Sequence, residues 1–187
     1  MGLLDRHDDG QRQQMIALIE ADLDTNPADA PRWRLLAALH ALDDDPAARA
    51  QALAEAWSAA PQNYSTALSW ARTCIQLDDP GKAEQILNQI EPAAVSQEAD
   101  YAFCLAAVAE WRQQPRKALK YYARAIDQCR YRAVYFQRYG RLLMAQGDTV
   151  AAKKALEWAA RIVSGTGINN RMSPVPGKDK TGAPQKG

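Results

Sequence analysis

The chain has 187 residues, 47% of them hydrophobic and 24% charged, which is ordinary for a soluble globular domain and excludes a wholly disordered chain. The longest apolar stretches fall short of the roughly 18 residues that a membrane span needs, and no secretory signal pattern is visible. We therefore expect a cytoplasmic protein. The net charge is only +1, although residues 1–30 hold seven acids and two bases while residues 112–141 hold nine bases and one acid.

The first predicted element is a helix over residues 11–24. Strong helix formers dominate the composition as a whole, and apolar residues recur here at helical spacing. Met15, Ile16, Ile19 and Leu23 fall on one face. This face is expected to cover the next pair of helices.

Four helical hairpins are predicted to follow in tandem, at about 30–63, 64–98, 99–132 and 133–163. Equivalent residues recur every 34 or 35 positions. They form a large column (Leu36, Trp70, Leu105, Tyr139), a small column beside it (Ala37, Ala71, Ala106, Gly140) and an alanine column in the second helices (Ala83, Ala118, Ala152). Small residues let two helices approach closely, so these columns are predicted to pack between helices.

The turns inside the hairpins carry capping signals. Asp45–Pro46 and Asp79–Pro80 place a carboxylate before a proline suited to the first helical position. Asp148 is predicted to cap in the same way without a proline. Each of these acids is therefore interpreted as a helix cap, and the acidic run Asp43–Asp45 as a solvated turn with a cap and not as a metal site.

The large and small columns, the turn and the alanine-rich second helix together resemble the tetratricopeptide repeat. The resemblance covers about residues 30–163. It implies an all-α fold: an α-solenoid, a right-handed superhelix of about four hairpins with an N-terminal capping helix. A plain helical bundle is the alternative. Residues 164–187 lack periodicity and are predicted to form a disordered polar tail.

The resemblance also implies protein binding, because the first helices of stacked tetratricopeptide hairpins line a concave groove. The groove positions carried over to this chain are Arg34, Leu35, Leu68, Arg72, Phe103, Trp111, Arg138 and Arg141. Apolar pockets mixed with guanidinium groups suit a peptide that carries carboxylates. The Lys and Asn clamp that one tetratricopeptide subclass uses for a C-terminal carboxylate is absent. A non-catalytic adaptor, scaffold or chaperone-like assembly factor, whose partner protein is unidentified, is predicted.

The sequence contains no recognisable catalytic, cofactor or metal motif. His7 and His40 have no nucleophile or acid partner at a characteristic spacing. The three cysteines, Cys74, Cys104 and Cys129, are unpaired in sequence, and Cys74 and Cys104 are predicted to pack between helices. We expect no enzyme activity, no cofactor and no metal.

Two alternative functions use the uneven charge. One is nucleic-acid binding, since arginines and lysines between residues 112 and 141 alternate with tyrosines that could stack on bases. The residues concerned are Arg112, Arg116, Lys117, Lys120, Arg124, Arg130, Arg132, Arg138 and Arg141, with Tyr121, Tyr122, Tyr131 and Tyr135. The other is self-assembly, in which the acidic leader of one copy meets this basic region of another.

Overall fold

The computed structural model describes the backbone of residues 3–165 and the side chains of residues 9–165. His7 lies outside the described side chains, and all of the predicted tail (164–187) except Ser164 and Gly165 lies outside the described residues. Within the described residues the secondary structure is helical throughout. The helices are α1 (Leu3–Thr25), α2 (Ala30–Leu42), α3 (Pro46–Ala59), α4 (Tyr64–Gln76), α5 (Pro80–Leu87), α6 (Pro92–Val95), α7 (Ala99–Trp111), α8 (Pro115–Gln128), α9 (Ala133–Ala145) and α10 (Thr149–Ser164).

The chain divides into two compact units at the peptide bond between Val95 and Ser96. The first unit contains α1 to α6, and the second contains α7 to α10. In each unit, consecutive helices pack as antiparallel hairpins: α2 with α3, α4 with α5, α7 with α8, and α9 with α10. Among the described residues, no helix is both long enough and apolar enough to cross a membrane.

The N-terminal helix α1 covers the first hairpin. Ile16, Ile19 and Leu23 join Leu36 and Leu53 in one buried apolar cluster. Met15, which the sequence places on the same face, is instead 47% exposed. The helix begins at Leu3, earlier than predicted. The prediction placed the start later because residues 5–10 are polar or glycine and lack the apolar periodicity from which the boundary was inferred.

The predicted caps are confirmed. The side chain of Asp45 accepts hydrogen bonds from the backbone N–H groups of Ala47 and Ala48, and Asp79 and Asp148 each accept one from the third residue that follows. Each bond satisfies a backbone donor that the first turn of a helix leaves without an intrahelical partner. These carboxylates therefore stabilise helix starts.

The second helix of the 64–98 repeat is shorter than its counterparts. α5 ends at Leu87, after which Gln89 and Ile90 donate to carbonyl oxygens three residues back. This tighter turn buries Ile90, and Pro92 then begins the short helix α6. Because the residue before a proline disfavours helical backbone angles, one continuous helix is not formed here.

The second unit is organised around large buried aromatic residues. Tyr122, Tyr135 and Phe136 are each no more than 1% exposed. Gly140 allows α9 and α10 to approach closely, because a Cβ atom there would lie 2.9 Å from Cγ of Leu156 and 3.2 Å from the carbonyl oxygen of Ala152. The small columns predicted from the sequence are buried in both units.

Candidate functional site

Helix α9 presents a mixed apolar and cationic face. One side of this helix is buried through Tyr135, Phe136, Tyr139, Leu142 and Leu143. The other side carries Val134, Arg138, Arg141 and Met144 at intervals of three or four residues. Val134, Arg141 and Met144 are exposed and Arg138 is half-buried. The helix contains no acidic residue, so its open face is positively charged.

Trp111, at the end of α7, adds an aromatic side chain to the surface of the same unit. Its side chain is 54% exposed, which is unusual for so large an apolar group. Tryptophan, tyrosine and arginine are the residue types that contribute most at protein interfaces. Of the predicted groove residues in this unit, Trp111, Arg138 and Arg141 are thus accessible to a partner to different degrees.

Phe103 does not share this accessibility. It is 2% exposed and stacks on Tyr135, with ring centroids 4.9 Å apart and planes 29° apart. Its ring also lies 5.9 Å from that of Tyr122. Phe103 therefore packs within the aromatic core of the second unit and offers almost no surface to a partner.

Arg138 lies beside a buried tyrosine–carboxylate pair. The hydroxyl of Tyr122 donates to Oε2 of Glu110 at 2.6 Å. Burial raises the pKa of Tyr122 above its ordinary value, the bond to Glu110 raises it further, and the positive charge of Arg138 opposes the shift. Arg138 is therefore close enough to interact with this pair. Of the two arginines on α9, Arg141 is the more exposed to solvent and therefore the more accessible to a partner.

A second tyrosine–carboxylate pair lies between α7 and α9. The hydroxyl of Tyr135 donates to Oδ1 of Asp100 at 2.5 Å, and Nη2 of Arg132 lies 3.8 Å from Oδ2 of the same carboxylate. Burial, followed by this hydrogen bond, raises the pKa of Tyr135. The sequence interpretation missed both pairs. The sequence signal for the Tyr135–Asp100 pair is the 35-residue separation of these two residues, which places them one repeat apart on the first helices of successive hairpins.

The predicted groove residues of the first unit also include both accessible and buried side chains. Arg34 and Leu35 are exposed on α2, and Arg72 is half-buried on α4. Leu68 is only 4% exposed and packs inside the unit. The eight predicted positions thus include two, Leu68 and Phe103, whose side chains offer almost no surface to a partner.

The described residues hold no group of three or more His, Cys, Asp or Glu side chains that could bind a metal ion. Cys74 and Cys104 are buried, as predicted, and Cys129 is half-buried. Burial raises the pKa of the Cys74 thiol to about 11, which disfavours the reactive thiolate. His40 is half-buried on α2.

The nucleic-acid alternative loses two of its four candidate stacking residues. Tyr122 and Tyr135 are buried and donate to carboxylates. Tyr121 is half-buried, and Tyr131 is 67% exposed. An array of bases stacked on successive aromatic rings therefore has little support on this surface.

Comparison with known proteins identifies the fold. No protein-family model and no curated protein matches the sequence. Solved structures do match. MamA from Desulfovibrio magneticus RS-1 has a TM-score of 0.65 at 12% identity, and the match covers 85% of this chain and 89% of that one.

Two further solved structures are similar. PilF of Pseudomonas aeruginosa has a TM-score of 0.62 at 18% identity, with 90% of this chain and 75% of that chain covered. YrrB, a tetratricopeptide protein with an unusual peptide-binding site, has a TM-score of 0.59 at 15% identity, with 83% and 80% covered. These neighbours are tetratricopeptide proteins, so the predicted all-α tetratricopeptide fold is confirmed.

Proposed function

We propose that this protein is a non-catalytic protein-binding module, an adaptor, scaffold or assembly factor acting in the cytoplasm. Its second unit binds a partner segment that carries carboxylates and apolar side chains. The observation that carries this proposal is the face of α9, where Val134 and Met144 flank Arg138 and Arg141. Exposed Trp111 provides a further apolar contact in the same unit.

The chemistry of this face supports the proposed class of partner. An arginine guanidinium can donate two parallel hydrogen bonds to one carboxylate, whereas exposed valine and methionine side chains gain free energy when they are removed from water. Hydrogen bonds to charged groups contribute about 1.5–3 kcal/mol each, and about 1.4 kcal/mol corresponds to a tenfold change in affinity. The two arginines together therefore suffice to determine whether a partner is retained.

The test is capture of partners from the native source by the immobilised full-length protein. Arg138→Ala/Arg141→Ala should reduce the captured partner by at least about tenfold. The control is Arg116→Ala/Lys120→Ala, which removes the same charge from exposed positions of α8. Equal capture by the wild type and the α9 variant would contradict the assignment of this face.

A photo-crosslinking amino acid locates the contact directly. Placed at Met144, which is 47% exposed on α9, it should form a crosslink to the captured partner. Placed at Leu77, which is exposed in the first unit, it should not. A crosslink at Leu77 and none at Met144 would move the binding surface to the other unit.

A further inference from the structure

The first unit contains a cavity of about 610 Å³ bordered by α1, α2 and α3 and by the turn at Pro27. Its volume lies within the range of about 300–1,000 Å³ that is typical of ligand sites. Glu20 and Asp24 border it from α1, Trp33 and His40 from α2. The cavity belongs entirely to the first unit and shares no residue with the α9 face.

The cavity lining is mixed, with apolar residues on α1, α2 and α3 beside polar ones that include His40 and Gln51, and it has room for a side chain. Leu23 and Leu36, both buried, line it, and α3 contributes Ala48 and Ala52. Because alanine has only a methyl group, these two positions leave space that a longer side chain would fill. The half-buried side chain of Ala48 is an apolar surface against which the methylene groups of a long side chain can pack.

Trp33 provides a fixed aromatic wall. Its indole Nε1 donates to the carbonyl oxygen of Pro27 at 2.9 Å, which holds the ring in one orientation. The side chain is half-buried and packs against the apolar cluster beneath it. Tryptophan is also the aromatic residue whose face attracts cations most strongly.

Two carboxylates border the cavity. Glu20 and Asp24 are exposed and lie four residues apart on α1, so that their like charges repel. The neighbouring guanidinium of Arg32 is engaged elsewhere, 3.3 Å from Asp22 and hydrogen bonded to Asp29. Within the described residues, neither Glu20 nor Asp24 forms an ion pair, and a bound cation would remove their repulsion.

We propose that this cavity binds an arginine side chain of a partner protein. The guanidinium stacks on Trp33 and pairs with Glu20 and Asp24, while its methylene groups lie against the half-buried side chain of Ala48. Arginine fits better than lysine because its planar, weakly hydrated group both stacks on an aromatic ring and pairs with carboxylates through two hydrogen bonds. The protein then has two binding sites of opposite charge preference, one in each unit.

The test uses the full-length protein and the peptide acetyl-Gly-Arg-Gly-amide. The ¹H–¹⁵N signal of the Trp33 indole, identified from the spectrum of Trp33→Phe, should shift in a saturable manner. The same peptide with citrulline keeps the shape of arginine but lacks its charge, and it should bind at least about tenfold more weakly. A lysine peptide should also bind more weakly than the arginine peptide.

Variants separate charge from shape. Glu20→Gln/Asp24→Asn should weaken binding at least about tenfold, and Ala48→Met should weaken it by filling the cavity while it leaves both carboxylates in place. The control Glu55→Gln/Glu91→Gln removes two exposed charges of the same unit from positions outside the cavity. It should bind like the wild type, as should Arg138→Ala/Arg141→Ala. Circular dichroism verifies that each variant is folded.

Several results would overturn the proposal. They are an indole signal that does not move at saturating peptide, equal affinity for the citrulline or lysine peptide, and equal weakening by the control variant. Because the α9 variant retains this cavity, loss of partner capture in that variant leaves the peptide titration unaffected. The two sites are therefore tested independently.

Discussion

At the scale of single residues, the buried tyrosines of the two tyrosine–carboxylate pairs in the second unit contribute to the loss of stability at alkaline pH. Tyr122 and Tyr135 have pKa values raised first by burial and then by their hydrogen bonds to Glu110 and Asp100. In the unfolded chain a tyrosine titrates near pH 10. Their full contribution to stability is therefore present below about pH 10 and is lost as the pH rises above it.

Tyr122→Phe should have two effects. Near neutral pH it should lower the free energy of unfolding by about 2 kcal/mol, because the carboxylate of Glu110 loses its buried donor. Above about pH 10, each tyrosine that stays protonated only in the folded state lowers the free energy of unfolding by about 1.4 kcal/mol per pH unit. The variant lacks one such group, so its stability should fall less steeply with pH than that of the wild type.

Urea unfolding at about pH 7.5 and about pH 10.5, followed by circular dichroism, measures both effects. The matched control is Tyr131→Phe, since Tyr131 is 67% exposed. It should leave both free energies unchanged. An equally steep alkaline loss in Tyr122→Phe would show that Tyr122 is not protonated at high pH in the folded protein.

At the scale of helices, the contact between α9 and α10 depends on the absence of a side chain at Gly140. A Cβ atom there would lie 2.9 Å from Leu156. Gly140→Ala gains about 1 kcal/mol of helix propensity, but we expect overpacking of about 1–3 kcal/mol to offset or exceed this gain. In a Leu156→Ala background the contact with the Leu156 side chain is gone and the carbonyl oxygen of Ala152, 3.2 Å from the added Cβ, remains, so the same substitution should cost less than in the wild type. A double-mutant cycle by urea unfolding measures this coupling, and additive effects would contradict it.

The turns inside the hairpins each contain one residue with a left-handed backbone conformation, which is strained for any residue other than glycine. Asp44, Asp78, Gln113 and Gly147 occupy equivalent turn positions, and all four have positive φ angles between 53° and 86°. Gly147→Ala should cost about 1 kcal/mol, because no atom lies within 4 Å of the added Cβ and only the backbone conformation resists it. Gln113→Gly should instead stabilise the protein by up to about 1 kcal/mol. Thermal unfolding of both variants measures these changes, and a lower melting temperature for Gln113→Gly would refute the strain argument.

At the scale of the whole molecule, periodicity in the sequence predicts helices, caps and small packing columns well, because each depends on neighbours in sequence or on a fixed repeat spacing. Asp45, Asp79 and Asp148 cap as expected. The exposure of a side chain is harder to predict from the sequence, because it depends on which other helices pack against that side chain. Phe103 was predicted to face the groove from its place in the repeat, but it is 2% exposed and contacts rings from two other helices.

The charge distribution allows a final test of function for the whole chain. Nine bases lie between residues 112 and 141, but the net charge of the protein is only +1. Some of these bases are engaged within the second unit, since Arg132 lies 3.8 Å from Asp100 and Arg124 donates to the carbonyl oxygen of Ser96. Because affinity for nucleic acid falls steeply with salt, filter binding should retain no single-stranded RNA at about 150 mM salt. RNA retained at that salt and released by Arg138→Ala/Arg141→Ala would assign the α9 face to nucleic acid instead of a protein partner.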